Sequence, residues 1–130
     1  MRKRLIEKGY PELCKELTKW FNKFIRLRDD GLPCISCLKY NHLQAGHFIS
    51  VGSSGILRWN QDNVNGQCAG CNMNDSLTVK ENYERNLRER IGDERVDRLL
   101  EMQKMTVKRN RLDLINMIHY YKNMVESNND

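Results

Sequence analysis

Four cysteines stand in two pairs, Cys34-x-x-Cys37 and Cys68-x-x-Cys71. Each pair makes a tight knuckle whose two thiolates reach one ion, and two knuckles complete a tetrahedral shell. A closed four-sulfur shell suits structural Zn²⁺ rather than a catalytic ion, because no coordination position stays open. Two redox C-x-x-C motifs, or simply buried thiols, are the competing readings. One pair alone would leave them open; two pairs in one small loop-rich segment favour the metal. A fifth cysteine, Cys14, falls on the apolar side of a helical stretch and reads as a small core residue. Residues 38–67 make a longer spacer than a simple zinc ribbon has, so something is hung between the knuckles. That spacer holds His47, in "AGHFIS", and Asn63; Asn72 follows Cys71 directly. By spacing alone His47 fits a base, a core histidine or a spare zinc ligand, and Asn63 fits a turn former.

The remaining sequence limits the setting. The chain has 130 residues, enough for one domain with a modest core. Charged residues make up 30 % and hydrophobic ones 39 %, as in globular proteins; the net charge of +5 leans toward a polyanionic partner. No apolar run approaches the roughly 20 residues of a membrane span. The opening "MRKRLIEKGY" has basic residues with no apolar stretch behind them, so no secretory leader is expected. A reducing, cytoplasmic setting follows, in which disulfides are not expected.

The knuckles need elements to position them, and the charged flanks supply helices. An N-terminal helical region is expected within residues 1–30. Pro11 and Glu12 suit a first turn, Leu13, Leu17, Trp20, Phe24 and Leu27 form an apolar stripe, and Asp29, Gly31 and Pro33 stop it. The zinc-bearing core spans 31–76, with short strands near Gln44–Ile49 and Leu57–Trp59 and "SVGSSG" as the turn between them. A helical region covers 77–126. Its first helix runs from about Leu77 to Ile91, with Val79, Tyr83, Leu87 and Ile91 on one face. Gly92 ends that helix, and Asp93 starts another through about Met105. Thr106 is placed as the cap of a last helix containing Leu112, Ile115, Ile118 and Val125. Residues 127–130 read as a frayed tail. Trp20, Phe48 and Trp59 read as core, His119 as surface or packing, and Asp75 as a helix cap.

A histidine on a strand, a loop, an asparagine, then "CAGCN" leading a helix resembles the HNH, or ββα-metal, nuclease motif. The resemblance implies that His47 is the general base, that Asn63 braces the loop positioning it, and that Asn72 binds a divalent ion. Phosphodiester hydrolysis needs those parts: a deprotonated water and a cation on the scissile phosphate. Histidine suits the first role because it titrates near working pH. The successive blocks "FIRLRDDGLPCISC", "AGHFISVG", "LRWNQDNVNGQCAGCN" and "YERNLRERIGDERVDRL" resemble the phage NinG family, also called Rap, from about Phe24 to Leu99. The knuckles are also similar to those of phage endonuclease VII, a Holliday-junction resolvase. The family implies a structure-specific endonuclease that cuts branched DNA in recombination, encoded by a phage or prophage and acting in the bacterial host.

The sequence departs from the pattern beside the base. HNH enzymes commonly carry Asp or His where Gly46 stands, and NinG-like sequences often carry Asp where Gln44 stands. The catalytic ion, Mg²⁺ or Mn²⁺, then draws on Asn72, with Asp62, Asp75, His42 and Gln44 as further candidates. For DNA contacts, Arg58 lies beside the active loop, Arg26 and Arg28 close the first helix, and Lys108, Arg109 and Arg111 open the last, though most such charges belong to solvated faces.

The expectation is therefore a single α+β domain: a zinc-stapled ββα-metal (HNH-like) core flanked by N- and C-terminal helices. The expected function is metal-dependent DNA cleavage, with a non-catalytic zinc-ribbon module binding DNA or protein as the alternative. Junction resolution requires two cuts, and the apolar residues Leu13, Leu17, Phe24, Tyr83, Leu99, Leu100, Ile115 and Ile118 form a candidate surplus for a homodimer. Packing of the same residues within one chain is the competing arrangement.

Overall fold

Gly9 opens the first helix, α1 (Tyr10–Arg28): Pro11 lies in the first turn, and Glu12 Oε1 accepts from the Gly9 N–H at 3.3 Å. The computed structural model describes residues 3–50 and 55–127. Its further elements are β1 (Leu43–His47), β2 (Val64–Cys68), α2 (Ala69–Asn72), α3 (Leu77–Ile91), α4 (Asp93–Met102) and α5 (Arg111–Ser127). Short 3₁₀ turns stand at Leu5–Glu7 and Gly55–Leu57. The result is helices around a small two-stranded sheet, an α+β arrangement.

The inward stripe of α1 differs from the one expected. Leu13, Leu17, Phe21, Phe24 and Ile25 are buried, Trp20 is half-buried and Leu27 is exposed. At about 100° per residue the buried face is centred between Leu17 and Phe21, so Phe21 and Ile25 fall on it while Trp20 lies at its edge and Leu27 beyond it. That face packs on α5, whose Leu114, Ile115, Ile118, Tyr121 and Val125 are buried with it. Cys14 lies in this core, as expected. Leu112 lies in α5, as expected, and is exposed.

β1 and β2 pair antiparallel, with Leu43 opposite Cys68 and His47 opposite Val64. The expected partner strand, Leu57–Trp59, is instead a 3₁₀ turn and its exit. The true partner, "VNGQC", is buried on both faces, and its polar groups are satisfied internally. Asp29 Oδ2 accepts from the Gly66 N–H at 2.7 Å, Asn65 Nδ2 donates to the Asp62 carbonyl at 3.1 Å, and Gln67 Nε2 donates to Ser36 Oγ at 2.9 Å. All five β2 residues are buried. Strand alternation sends Ala45 and Val64 toward the α1–α5 core, while Asn65 faces Tyr83 of α3. On that second side, Ile35, Ile49, Leu57, Tyr83, Leu87, Val96 and Leu99 form another apolar cluster.

The α3 boundaries are those the sequence predicts, and Gly92, at φ +92°, makes the turn into α4. Two expected caps are corrected. Ser76, not Asp75, caps α3, its hydroxyl accepting from the Val79 N–H at 3.3 Å. Asn110, not Thr106, begins α5: its Oδ1 accepts from the Asp113 N–H, and Asp113 Oδ2 accepts from the Asn110 N–H, each at 2.8 Å. The α4 helix ends at Met102 rather than near Met105. The core of the expected "SVGSSG" turn, residues 51–54, and the tail beyond Ser127 lie outside the described residues.

Among the apolar residues expected to be in surplus, all except half-buried Leu100 are buried within the chain itself. The seven buried ones pack within the chain rather than forming an exposed apolar face. No helix among the described residues is long and apolar enough to cross a membrane.

Candidate active site and metal centre

The first knuckle follows α1. The Cys34 N–H donates to the Lys39 carbonyl at 3.0 Å, the Leu38 N–H donates to the Cys34 carbonyl at 2.9 Å, and Leu38 takes the left-handed conformation at φ +61°. The second knuckle begins as β2 ends: Cys68 is the last strand residue and Cys71 lies in α2. All four Sγ atoms lie within 4.8 Å of one another, and Cys37 Sγ is 3.9 Å from Cys68 Sγ. Tetrahedral Zn–S bonds of about 2.3 Å put sulfurs about 3.8 Å apart, so the donor set fits a zinc-sized ion.

The surrounding backbone suits thiolate. Cys34 Sγ accepts N–H groups of Cys37 at 3.5 Å and Cys68 at 3.3 Å. Burial pushes the Cys34 thiol up, but N–H donation from Cys37, Cys68 and Ser36 prevails and brings it down to about 7. Burial pushes Cys37 and Cys71 up, and the neighbouring sulfurs push them further. Clustered thiols resist joint ionisation until a cation joins them. The four cysteines form a cluster that can hold a metal such as zinc.

His47 ends β1 and is half-buried. Its Nε2 lies 3.0 Å from the Arg58 carbonyl. A carbonyl only accepts, so Nε2 carries the proton and Nδ1 keeps its lone pair. Burial lowers the pKa of His47; the Arg58 carbonyl opposes that shift, and the Arg58 charge adds to it. The ring is therefore neutral near pH 7, with one basic nitrogen available.

Asn63, wholly buried, fastens the chain on both sides of that ring. Its Oδ1 accepts from the Ile49 N–H at 2.8 Å, and its Nδ2 donates to the carbonyls of Ile49 at 3.0 Å and Leu57 at 3.1 Å. Its own carbonyl accepts from the Phe48 N–H at 2.8 Å.

Asn72, the last residue of α2, is exposed, and its Nδ2 donates to Gln44 Oε1 at 2.9 Å. His47, Asn72 and Asp75 line one cleft of about 580 Å³, together with Glu81 and Glu84 of α3. Two other proposed ion ligands lie elsewhere. Asp62 pairs with Arg95 beside a different cavity, and His42 is exposed ahead of β1, beside a third. Gly46 cannot readily bear a side chain: a Cβ there would meet Gln67 Oε1 at 2.1 Å and Gln67 Cβ at 2.8 Å.

The expected DNA contacts divide. Arg28 is occupied by Asp29 and by the carbonyls of Gln61 and Val64. Arg109 donates to the carbonyls of Gly55 and Ile56, and Arg111 to those of Ile6 and Lys8. These three are framework cations, as arginine donors readily satisfy free carbonyls. Arg58 lies over the Trp59 ring, 4.8 Å from its centroid, while Arg26 and Lys108 are exposed.

The sequence marks Tyr83 only as an apolar residue of α3. Its hydroxyl donates to the Gly46 carbonyl at 2.7 Å and accepts from Asn65 Nδ2 at 3.2 Å, directly behind the His47 strand. Burial raises its pKa, so it remains a donor. A tyrosine opposite two buried polar residues is a signal visible only once the pairing is known.

The family described as "Bacteriophage Lambda NinG protein" matches residues 1–129. The chain belongs to the NinG family. The ninG protein of Escherichia phage lambda is 39 % identical over 87 residues, which are 65 % of this chain and 42 % of that protein. The ninG proteins of Escherichia phage 933W and Salmonella phage P22 are each 38 % identical over 87 residues, covering 65 % of this chain. The matched stretch is less than half the length of these NinG relatives, at 43 % and 42 % for the latter two. No solved structure gives a significant match.

Proposed function

We propose that this NinG-family chain is a metal-dependent DNA endonuclease that hydrolyses phosphodiester bonds at branched recombination intermediates such as Holliday junctions. The observation that carries the reading is the His47 ring, held through Nε2 on the Arg58 carbonyl so that Nδ1 carries the lone pair, beside a cleft that Asn72 and Asp75 also line. Nδ1 accepts a proton from water, whose oxygen attacks phosphorus as the bond to the leaving sugar oxygen breaks, and that leaving oxygen takes up a proton from solvent. Asn63 fixes the loop that follows the base, and Tyr83 fixes the strand beneath it. Asn72, Gln44 and Asp75 offer oxygen donors, which suit Mg²⁺ or Mn²⁺. Such an ion supplies charge stabilisation at the phosphate. The HNH resemblance and the likeness to endonuclease VII support the same assignment, with zinc on the four cysteines in a structural role.

Two opposed cuts at a junction require two His47 sites, so the reading includes a two-fold dimer. Light scattering with and without junction DNA tests it; one chain per complex rejects the dimer. For the activity, labelled linear, forked and four-way DNA are incubated with Mg²⁺ or Mn²⁺. Cleavage of the branched forms, lost in His47→Ala, is expected. Binding without cleavage under either ion replaces the nuclease by a zinc-ribbon DNA-binding module.

A further inference from the structure

The last turn of α3 carries two arginines with opposite surroundings. Arg88 is saturated by carboxylates: Glu84 at 3.1 Å, Asp93 at 3.1 Å and Asp97 at 2.9 Å. Arg90 has no ion pair among the described residues, and its Nη1 is buried without a hydrogen-bond partner. A cationic donor left dry and unpaired is costly, so such a group normally has an anion or water against it.

Arg90 borders a cavity of about 240 Å³ lined also by Arg28, Asp29, Asp62 and Arg95. The two carboxylates there are already matched. Asp29 holds Arg28 at 2.8 and 2.9 Å and accepts from the Gly66 N–H at 2.7 Å, while Asp62 is paired with Arg95. Three guanidinium groups face two carboxylates, and the uncompensated charge is that of Arg90. Among the described residues, no carboxylate lining this cavity is left to match Arg90.

We propose that Arg90, flanked by Arg28 and Arg95, binds a phosphate group, and that its source is the DNA backbone away from the scissile bond. A guanidinium matches a phosphate's paired oxygens, and the cavity is large enough for one such group. The DNA assignment rests on the function proposed above; the anion site itself does not. Placement supports it. Arg90 lies seven residues after Tyr83, two turns along the same face of α3 and about 10 Å along its axis. Tyr83 in turn supports the His47 strand, so one rigid helix would set the distance between a held phosphate and the cut.

The test uses the full chain with His47→Ala, so that no cutting confuses binding. Affinity for a labelled duplex is measured across a salt series, without added Mg²⁺ or Mn²⁺. In a parallel arm, thermal unfolding is followed with increasing inorganic phosphate. Arg90→Gln should weaken duplex binding about fivefold or more and make the salt slope shallower by about one counterion. Arg90→Lys, which keeps the charge, should retain the slope. Phosphate should raise the melting temperature of the chain with Arg90 and not that of Arg90→Gln. A DNA effect alone supports a backbone phosphate, and a phosphate effect alone supports a free phosphate ligand. If Arg90→Gln folds normally and changes neither readout, the site is refuted, whether or not the unaltered chain cleaves DNA.

Discussion

Asn63 and Ile49 clasp each other as two amides: Ile49 donates to the Asn63 side chain at 2.8 Å, and Asn63 donates back to the Ile49 carbonyl at 3.0 Å. The clasp lies two residues beyond His47 and fixes where β1 ends. Asn63→Ala would strand the Ile49 N–H and the carbonyls of Ile49 and Leu57. A loss of about 2–4 kcal/mol of stability is expected, since unsatisfied buried groups cost about 1–3 kcal/mol each and partly rehydrate. Urea unfolding measures it. A change within about 0.5 kcal/mol would mean that the clasp contributes little.

Tyr83→Phe probes the strand from beneath. It removes one oxygen, leaving the Gly46 carbonyl and Asn65 Nδ2 without that partner while the stacking on Phe48, at 5.6 Å between centroids, persists. Stability should fall by about 1–2 kcal/mol. If Tyr83 positions His47, the maximal cleavage rate falls with little change in DNA affinity. An unchanged rate in a folded variant assigns the hydroxyl to stability alone.

The parts legible in sequence were those that depend on local pattern. The knuckles, the α3 boundaries, the Gly92 turn and β1 follow from spacing and punctuation. β2 was hidden because both its faces are buried and one of them carries Asn65 and Gln67, satisfied by Tyr83 and Ser36, which are distant in the chain. The sorting of cations was hidden for the same reason. Arg28 and Arg109 look like free basic residues until the carbonyls they hold are known. At the candidate site, His47, Asn63 and Asn72 were readable by motif, whereas Tyr83, Glu81 and Glu84 join it only through the packing of α3.

Metal should hold the knuckle region together. Chain purified without added metal should contain about one zinc per molecule by elemental analysis. Chelation should lower the melting temperature sharply, because binding and folding share free energy at such sites. Cys34→Ser removes a buried ligand and should destabilise by several kcal/mol, on the order of a lost structural metal. Cys14→Ser, in the α1–α5 core, should cost only about 1 kcal/mol. Metal-free chain of equal stability would contradict the assignment.

Asn72 is tested by what rescues it. Asn72→Ala should slow cleavage and shift half-saturation to higher Mg²⁺ or Mn²⁺, with partial recovery at high concentration. Its hydrogen bond to Gln44, at 2.9 Å, lies between exposed residues, so stability should change by less than about 0.5 kcal/mol. A uniform loss that no metal concentration relieves would place Asn72 outside the ion's shell.

The pH dependence of cleavage tests His47 directly. A base works only when unprotonated, so the rate should rise with pH and level off once the ring is neutral. Burial lowers the pKa of His47, with the Arg58 carbonyl opposing and the Arg58 charge reinforcing the shift. The acid limb should therefore have its midpoint below the ordinary histidine value of about 6.5. The stability contribution has the same sign: it is present above about 6.5 and is lost as pH falls through the lowered folded value. His47→Ala should abolish that limb, reduce cleavage by about 10²-fold or more and leave DNA affinity nearly unchanged, since a base acts in the transition state. His47→Gln offers an amide in place of the ring and no basic nitrogen, so it should cleave no better than alanine. A midpoint near 6.5 or above would overturn the buried-base geometry. A glutamine variant that cleaves at the original rate would remove His47 from the chemistry altogether.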